Sequence, residues 1–271
     1  MTDQPSAAVG IDDRLETAVA AAERGGSVAL DAFRSAHDVE TKADGPMDAV
    51  TAVDRTVQRR VIEYITERHP EDAVVGEEDD ALKSVPETGV AWVVDPIDGT
   101  VNYAKGNRVW MTSVAVCRDG EPVAAANDAP ATGDQYVAGA TTARRNDEPI
   151  SVSDTADPAA LLVNPVFGVS PRHRRGLAAV VETALDAFGD VRRFGCAQAA
   201  LSGVATGELD AVVSTVELNA WDTAAGVHLI RRAGGRATDV YGDRWRPGSI
   251  GLIASNGEAH DALVDAFDPV G

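Results

Sequence analysis

The sequence predicts an α/β (α+β) layered sandwich of two fused subdomains, residues 1-150 and 151-271. Three observations carry this expectation. Apolar residues recur near helical period through the N-terminal part, a series of short strand-like runs with hairpin signals follows, and beyond a polar stretch near residue 150 strand and helix patterns alternate.

Taken in order, Asp12 or Asp13 is placed to cap a helix in which Leu15, Val19, Ala22, Ala29, Leu30 and Phe33 share a face, despite Gly25-Gly26 in its middle. A second helix carries the stripe Val50, Val53, Val57, Val61, Tyr64 and Ile65, ended by His69-Pro70; TKADGPMD between the two reads as a polar loop. Strands are expected at 73–75, 90–94 and 111–118, the last turning at Asp119-Gly120 into 122–126 as a hairpin, with 135–139 continuing the sheet. TTARRNDEPISVSDTADP marks the boundary. Beyond it come a strand at 160–164, a helix around 171–188, a strand at 191–194, a helix from Ala197, a strand at 211–214, a helix from Trp221, a strand at 250–254 and a terminal helix.

Composition narrows the function. At 271 residues with 44% hydrophobic residues the chain can bury a sizeable core. The start, MTDQPSAAVGIDDRLE, has neither a basic nor an apolar leader region and no apolar run approaches a membrane span, so the expectation is a cytoplasmic protein. Cys117 and Cys196 are the only cysteines, too few for a disulfide framework. With 43 Asp+Glu against 24 Lys+Arg the net charge is -19, spread along the chain, which argues against nucleic acid as a partner. Arginine outnumbers lysine heavily, and the whole pattern suits a halophilic protein in a salty cytoplasm, where screening removes self-repulsion.

Three acidic segments sit where strands end or helices begin: VVGEEDD at 74–80, WVVDPIDGT at 92–100 and NAWDTAAG at 219–226. Carboxylates at the carboxyl ends of strands can hold hard cations by oxygen alone, although GEEDD by itself reads equally well as a solvated turn. DPIDGT is more specific. Pro96 fixes its own φ and keeps Asp95 extended, so Asp95 and Asp98 can project toward one point while the Ile97 carbonyl, kept out of a regular ladder, is free to be a ligand. Gly99 and Thr100 then offer backbone N–H groups at a helix start, which favours an anion such as phosphate. The haloacid-dehalogenase pattern needs aspartates two apart, and an EF-hand needs glutamate where Gly106 stands; neither applies.

Gly76-Glu77-Glu78, residues 92–100, and Trp221-Asp222 with Ala224-Ala225-Gly226 resemble the ordered motifs of the inositol monophosphatase family, Mg-dependent, lithium-sensitive phosphatases; DAVTAVD at 48–54 resembles the segment preceding them. The similarity runs from about Asp12 to the C-terminal helix. It implies alternating helix and sheet layers with the site in the cleft between subdomains, a small phosphorylated polyol or sugar as substrate, two to three Mg²⁺ ions, and a homodimer. By position, Glu77, Asp95 and the Ile97 carbonyl would hold one Mg²⁺, Asp95, Asp98 and Asp222 a second, and a third would lean on Glu77. Thr100 and Asp54 would orient and deprotonate the attacking water, with Glu78 in support. Asp98, Gly99, Thr100 and Asp222 would meet the phosphate, and Gly195, Cys196 and Ala197 of RFGCAQAAL would border the substrate body, though Cys196 also reads as a small buried residue at a helix start.

Two departures bear on the substrate. Thr215 stands where inositol-cleaving members carry a glutamate, and TTARRND replaces the usual turn after the hairpin. Lys42 reads either as part of a loop approaching the metals or as a solvated lysine, and the scattered histidines have no ligand spacing. The expectation is hydrolysis of an inositol-1-phosphate type monoester. Fructose-1,6-bisphosphatase or dual activity, then a nucleotide 3'-phosphatase, and a non-catalytic regulator of the same fold are the alternatives.

Overall fold

The structure is a computed structural model that describes residues 6–34, 39–41, 49–78, 81–168 and 170–268. Lys42, His37, Asp48, Asp79 and Asp80 of the sequence reading lie outside them. In chain order the elements are α1 (Ser6–Ala32), β1 (Val39–Thr41), β2 (Ala49–Thr51), α2 (Ala52–Thr66), β3 (Ala73–Gly76), β4 (Val90–Asp98), α3 (Thr100–Ala104), β5 (Met111–Arg118), β6 (Glu121–Ala129), β7 (Asp134–Ala138), β8 (Ala143–Arg145) and β9 (Glu148–Pro149). They continue with β10 (Leu162–Pro165), α4 (Arg174–Ala187), β11 (Asp190–Val191), α5 (Ala197–Ala205), β12 (Ala211–Ser214), α6 (Ala220–Arg232), β13 (Arg236–Thr238), β14 (Leu252–Ser255) and α7 (His260–Phe267).

Side-chain alternation turns these elements into layers. One sheet runs β3-β4-β5-β6-β7-β8-β9, parallel at β3/β4 and antiparallel beyond. On β4 and β5, Trp92, Val94, Val114 and Val116 face α1 and α2, while Ala91, Val93, Ala115 and Cys117 face the opposite way, into a core shared with α5 and α6. A second sheet, ordered β11-β10-β12-β14-β13, repeats the scheme: Val212 and Leu252 meet α5 and α6, whereas Val163, Val213 and Ile253 pack under α4 and α7. The sequence of layers is helix, sheet, helix, sheet, helix. Both sheets are covered on two faces, which is why their central strands read as continuous apolar runs rather than alternating ones.

Three expectations change in detail. The first helix begins at Ser6, so Asp12 and Asp13 lie inside it rather than at its cap. Gly25 and Gly26 persist in that helix because it sits hard on the sheet: a Cβ on Gly25 would meet Thr112 Cγ2 at 2.7 Å, and one on Gly26 would run into the Asp128 carboxylate. The second helix begins at Ala52, so Val50 lies in β2 rather than in its stripe; the polar stretch near residue 150 carries β8 and β9, with Asn146 (φ 48°) and Asp147 (φ 67°) as the two left-handed positions of the tight hairpin between them. The strand expected at 191–194 stops at Val191, since the chain turns there toward Gly195, at φ 72°. Among the described residues no helix is long and apolar enough to cross a membrane.

Candidate active site

The site forms where β4 ends against the first turns of α3, α5 and α6. Pro96 contributes no N–H to the ladder, and pairing with β5 shifts register between Asp95, opposite Ser113, and Asp98, opposite Met111. The irregularity is held by Thr112, whose hydroxyl donates to the Pro96 carbonyl at 2.8 Å. It delivers Asp95 and Asp98, both buried, toward Asp222 in the first turn of α6. One carboxylate oxygen from each of the three lies within 4.8 Å of the others.

Such crowding of like charge is unfavourable unless something positive enters. Burial, and then the charges of Glu77, Asp98, Asp222 and Asp54, push the Asp95 carboxyl well above its ordinary range. Its Oδ1 is buried without a hydrogen-bond partner among the described residues. Asp98 is also raised by burial, but its oxygens accept from the backbone N–H groups of Ala197 (3.2 Å), Gln198 and Gly99 and from the Cys196 thiol (3.1 Å), which pull the other way. Asp222 accepts from Asn219 Nδ2 at 3.0 Å. Three all-oxygen donors, one of them orphaned, are a donor set that fits a hard divalent cation such as Mg²⁺.

A glycine turn adjoins them. Gly99 has φ 88°, and a Cβ there would lie 2.9 Å from the Val109 carbonyl oxygen and 3.0 Å from Cys196 Cβ, so the turn into α3 requires glycine. Thr100 follows; its hydroxyl donates to the Ile97 carbonyl at 3.0 Å and lies 3.5 Å from Asp54 Oδ1. Glu77, Asp98, Gly99, Thr100, Gly195, Cys196, Ala197 and Asp222 all line one cavity of about 520 Å³. Glu78 lies behind it, its backbone N–H donating to Gln58 Oε1 at 2.8 Å and its carboxylate 3.9 Å from Arg55 Nε. The thiol of Cys196, buried beside Asp98, is pushed well above the ordinary cysteine range, first by burial, so it is a neutral donor rather than a thiolate.

Several residues of the site had no signal in spacing. Lys83 Nζ donates to the carbonyls of Gly76 (2.9 Å) and Glu77 (3.0 Å) and lies 5.8 Å from the centre of the Trp221 ring, clasping the acidic loop to α6. Gln198, wholly buried, donates to the Trp221 carbonyl at 2.8 Å and accepts from Gly226 N at 2.8 Å, locking α5 to α6. Arg172, His173 and Arg193 line the cavity as well. Thr215 is not among the residues lining the cavity; Leu218 and Asn219, a few positions on, are. His69, His228 and His260 are buried in contacts with Thr17, the Gly139 carbonyl and Thr238 respectively, away from this chemistry.

Comparison with known proteins identifies the family and the fold. The model of the inositol monophosphatase family matches residues 11–270. A "fructose-1,6-bisphosphatase/inositol-1-monophosphatase" of Aquifex aeolicus is 33% identical over 254 residues, covering 92% of this chain and 93% of that protein. A protein named "Nus factor SuhB" from Pasteurella multocida is 29% identical, covering 94% and 96%. Among solved structures, the Thermotoga maritima IMPase superposes with a TM-score of 0.84 at 29% identity, covering 95% of this chain and 98% of its own.

Proposed function

The chain belongs to the inositol monophosphatase family, and from that premise we propose that it hydrolyses a small phosphate monoester of the inositol-1-phosphate type with Mg²⁺ as cofactor. The observation that carries this is the convergence of Asp95, Asp98 and Asp222, with a buried unpartnered oxygen on Asp95, beside the glycine turn of Gly99.

Asp95, Asp98, Asp222, Glu77 and the Ile97 carbonyl are the groups that would hold Mg²⁺. When bound, the metal lowers the pKa of water and neutralises phosphate charge. The remaining work falls to positioning by this chain. Gly99 and Thr100 present N–H groups to the phosphate, Thr100 and Asp54 orient the attacking water and accept its proton, and Glu78 braces the loop that carries Glu77. Gly195, Cys196 and Ala197 border the body of the substrate. The protein acts in the cytoplasm as a homodimer.

Relatives named for a Nus factor raise a second reading, a non-catalytic regulator of the same fold. The convergence of Asp95, Asp98 and Asp222 beside the Gly99 turn supports catalysis instead, since a binding module has no need of buried, mutually repelling acids. Phosphate release from inositol 1-phosphate, fructose 1,6-bisphosphate and phosphoadenosine, with and without Mg²⁺ in molar KCl, tests the proposal. Failure of all three with Mg²⁺ present would overturn it.

A further inference from the structure

The core that the first sheet shares with α5 and α6 is apolar around Ala125, Leu201, Val204, Ala225 and Val227, yet two wholly buried amides interrupt it, Gln198 and Asn127. Gln198 Oε1 accepts both from Gly226 N at 2.8 Å and from Asn127 Nδ2 at 3.1 Å, which fixes the orientation of its amide, and Nε2 donates to the Trp221 carbonyl. Asn127 Nδ2 also reaches Ser202 Oγ at 3.3 Å, but its Oδ1 is buried without a partner among the described residues. A buried amide left partly unbonded costs stability, and Met and Leu would fill the same space without that cost. Packing alone does not account for the pair.

What the pair does have is a link to each of the three converging carboxylates. The backbone N–H of Gln198 donates to Asp98. Its side chain grips α6 on either side of Asp222, at the carbonyl of Trp221 and the N–H of Gly226. Asn127 supplies the third link: Asp95 stands opposite Ser113, and Ser113 opposite Asn127, so the three form one row across β4, β5 and β6. One neutral residue thereby ties the strand row of Asp95, the N–H donors of Asp98 and the helical turn of Asp222 to a common point. Being uncharged, it does so without repelling a cation or competing with the acids for it.

We propose that Gln198, oriented by Asn127, is a positioning residue that sets the separation of Asp95, Asp98 and Asp222 and with it the preference of the site for a small divalent cation over a larger one; this rests on the metal-dependent reading above and deepens it. Mg²⁺ demands near-ideal octahedral geometry with oxygens at about 2.0–2.1 Å, whereas Ca²⁺ accepts about six to eight oxygens at about 2.3–2.6 Å in a flexible arrangement. Carboxylates held by directional bonds favour the first ion. Carboxylates free to drift apart lose that advantage and keep most of their attraction for the second.

The test titrates Mg²⁺ and, separately, Ca²⁺ into metal-free full-length protein by calorimetry in molar KCl, for the wild type and the double variant Gln198→Met/Asn127→Leu, and records the melting temperature of each without metal. The Mg²⁺ association constant should fall about ten- to hundredfold in the variant, the loss typical when a group that orients a metal ligand is removed. That for Ca²⁺ should fall far less. The metal-free melting temperature should be equal or higher, because both partners of the buried bond have become apolar, so selectivity and stability part company. A ratio of the two constants unchanged from wild type overturns the proposal, and so does a parallel loss of both constants with a lower melting temperature, the mark of a merely structural residue. Should the double variant not fold, Asn127→Leu alone, which leaves every contact of Gln198 with α6 in place, is expected to shift the ratio the same way by a smaller factor, and no shift there overturns the proposal. A wild type that binds neither ion removes the metal-dependent reading and this inference together, whereas a wild type that binds Mg²⁺ while the variant matches it removes this inference alone.

Discussion

The hydroxyl of Thr100 lies 3.5 Å from Oδ1 of Asp54, a residue 46 positions earlier in the chain. The same hydroxyl donates at 3.0 Å to the Ile97 carbonyl, and with only one proton to give, its contact with Asp54 is the longer and weaker, so both oxygens stay available to a water that approaches from the cavity. Thr100→Ala is therefore expected to lower kcat by about a hundredfold or more, the scale of general-base catalysis, and Thr100→Ser to restore most of it. Magnesium titrations in parallel separate the roles: a variant whose defect is removed by more Mg²⁺ would place Thr100 on the metal instead.

Asp222→Asn and Asp98→Asn remove one charge each from the carboxylate group. Both are expected to abolish Mg²⁺-dependent turnover with circular dichroism unchanged, because the lost charge opposes folding of the metal-free site rather than supporting it. Activity near normal in either variant would contradict the metal-holding roles.

Lys83→Met severs the clasp between the Gly76-Glu77 carbonyls and α6. A charged hydrogen bond is worth about 1.5–3 kcal/mol. The Mg²⁺ concentration for half-maximal activity should rise about tenfold or more, and thermal stabilisation by added Mg²⁺ should require correspondingly more metal. Identical Mg²⁺ curves in variant and wild type would make Lys83 a surface residue and nothing more.

Asp128 offers a test by pH. Its carboxyl, half-buried against α1, is pushed up to about 6 by burial, then by Glu23, and a hydrogen bond from Gln135 offsets only part of this. A carboxyl raised on folding contributes stability below its unfolded value, near 4, and that contribution is lost as pH rises through 6. Asp128→Asn should stabilise the protein at pH 7 by about 1–2 kcal/mol, allowing for solvent screening, and the gain should shrink below pH 6 and vanish near pH 4. Melting temperatures of both proteins across that range give the answer.

The net charge of -19 makes stability a function of salt. Raising KCl from low concentration to molar shortens the screening length to about 3 Å, so melting temperature and activity should both climb. A flat profile would show that the surface acids already lie far enough apart to ignore one another.

How much of this was legible in the sequence depends on how local the cause was. Asp95, Asp98, Gly99 and Thr100 act through their immediate neighbours Pro96 and Ile97, and the layers follow from the alternation of residues such as Trp92 and Val93; both can be read from a short window. Asn146-Asp147 could also have been read, because two residues tolerant of positive φ are what such a hairpin needs. Lys83, Arg172, His173, Arg193 and Gln198 could not. Each matters only because the fold brings it to an element far away in the chain, and none lies at a spacing that marks it. Gly25 and Gly26 belong to the same class, costly to a helix in isolation and required once Thr112 and Asp128 press against it.

The irregularity between Asp95 and Asp98 settles a question of parity. Side chains alternate along a strand, so aspartates three apart should point to opposite faces of the sheet. Between the pairs Asp95 with Ser113 and Asp98 with Met111, β4 takes three steps and β5 takes two. The extra step turns an odd separation into an even one, and both carboxylates reach the same side. A chain with one residue fewer would need no such step, but it would also have no carbonyl released from the ladder. The Asp-Pro-Ile-Asp spacing and the carbonyl that Ile97 turns toward Thr100 are thus two expressions of one surplus residue, and shortening the segment by that residue would take away the hydroxyl's acceptor without touching a single acid.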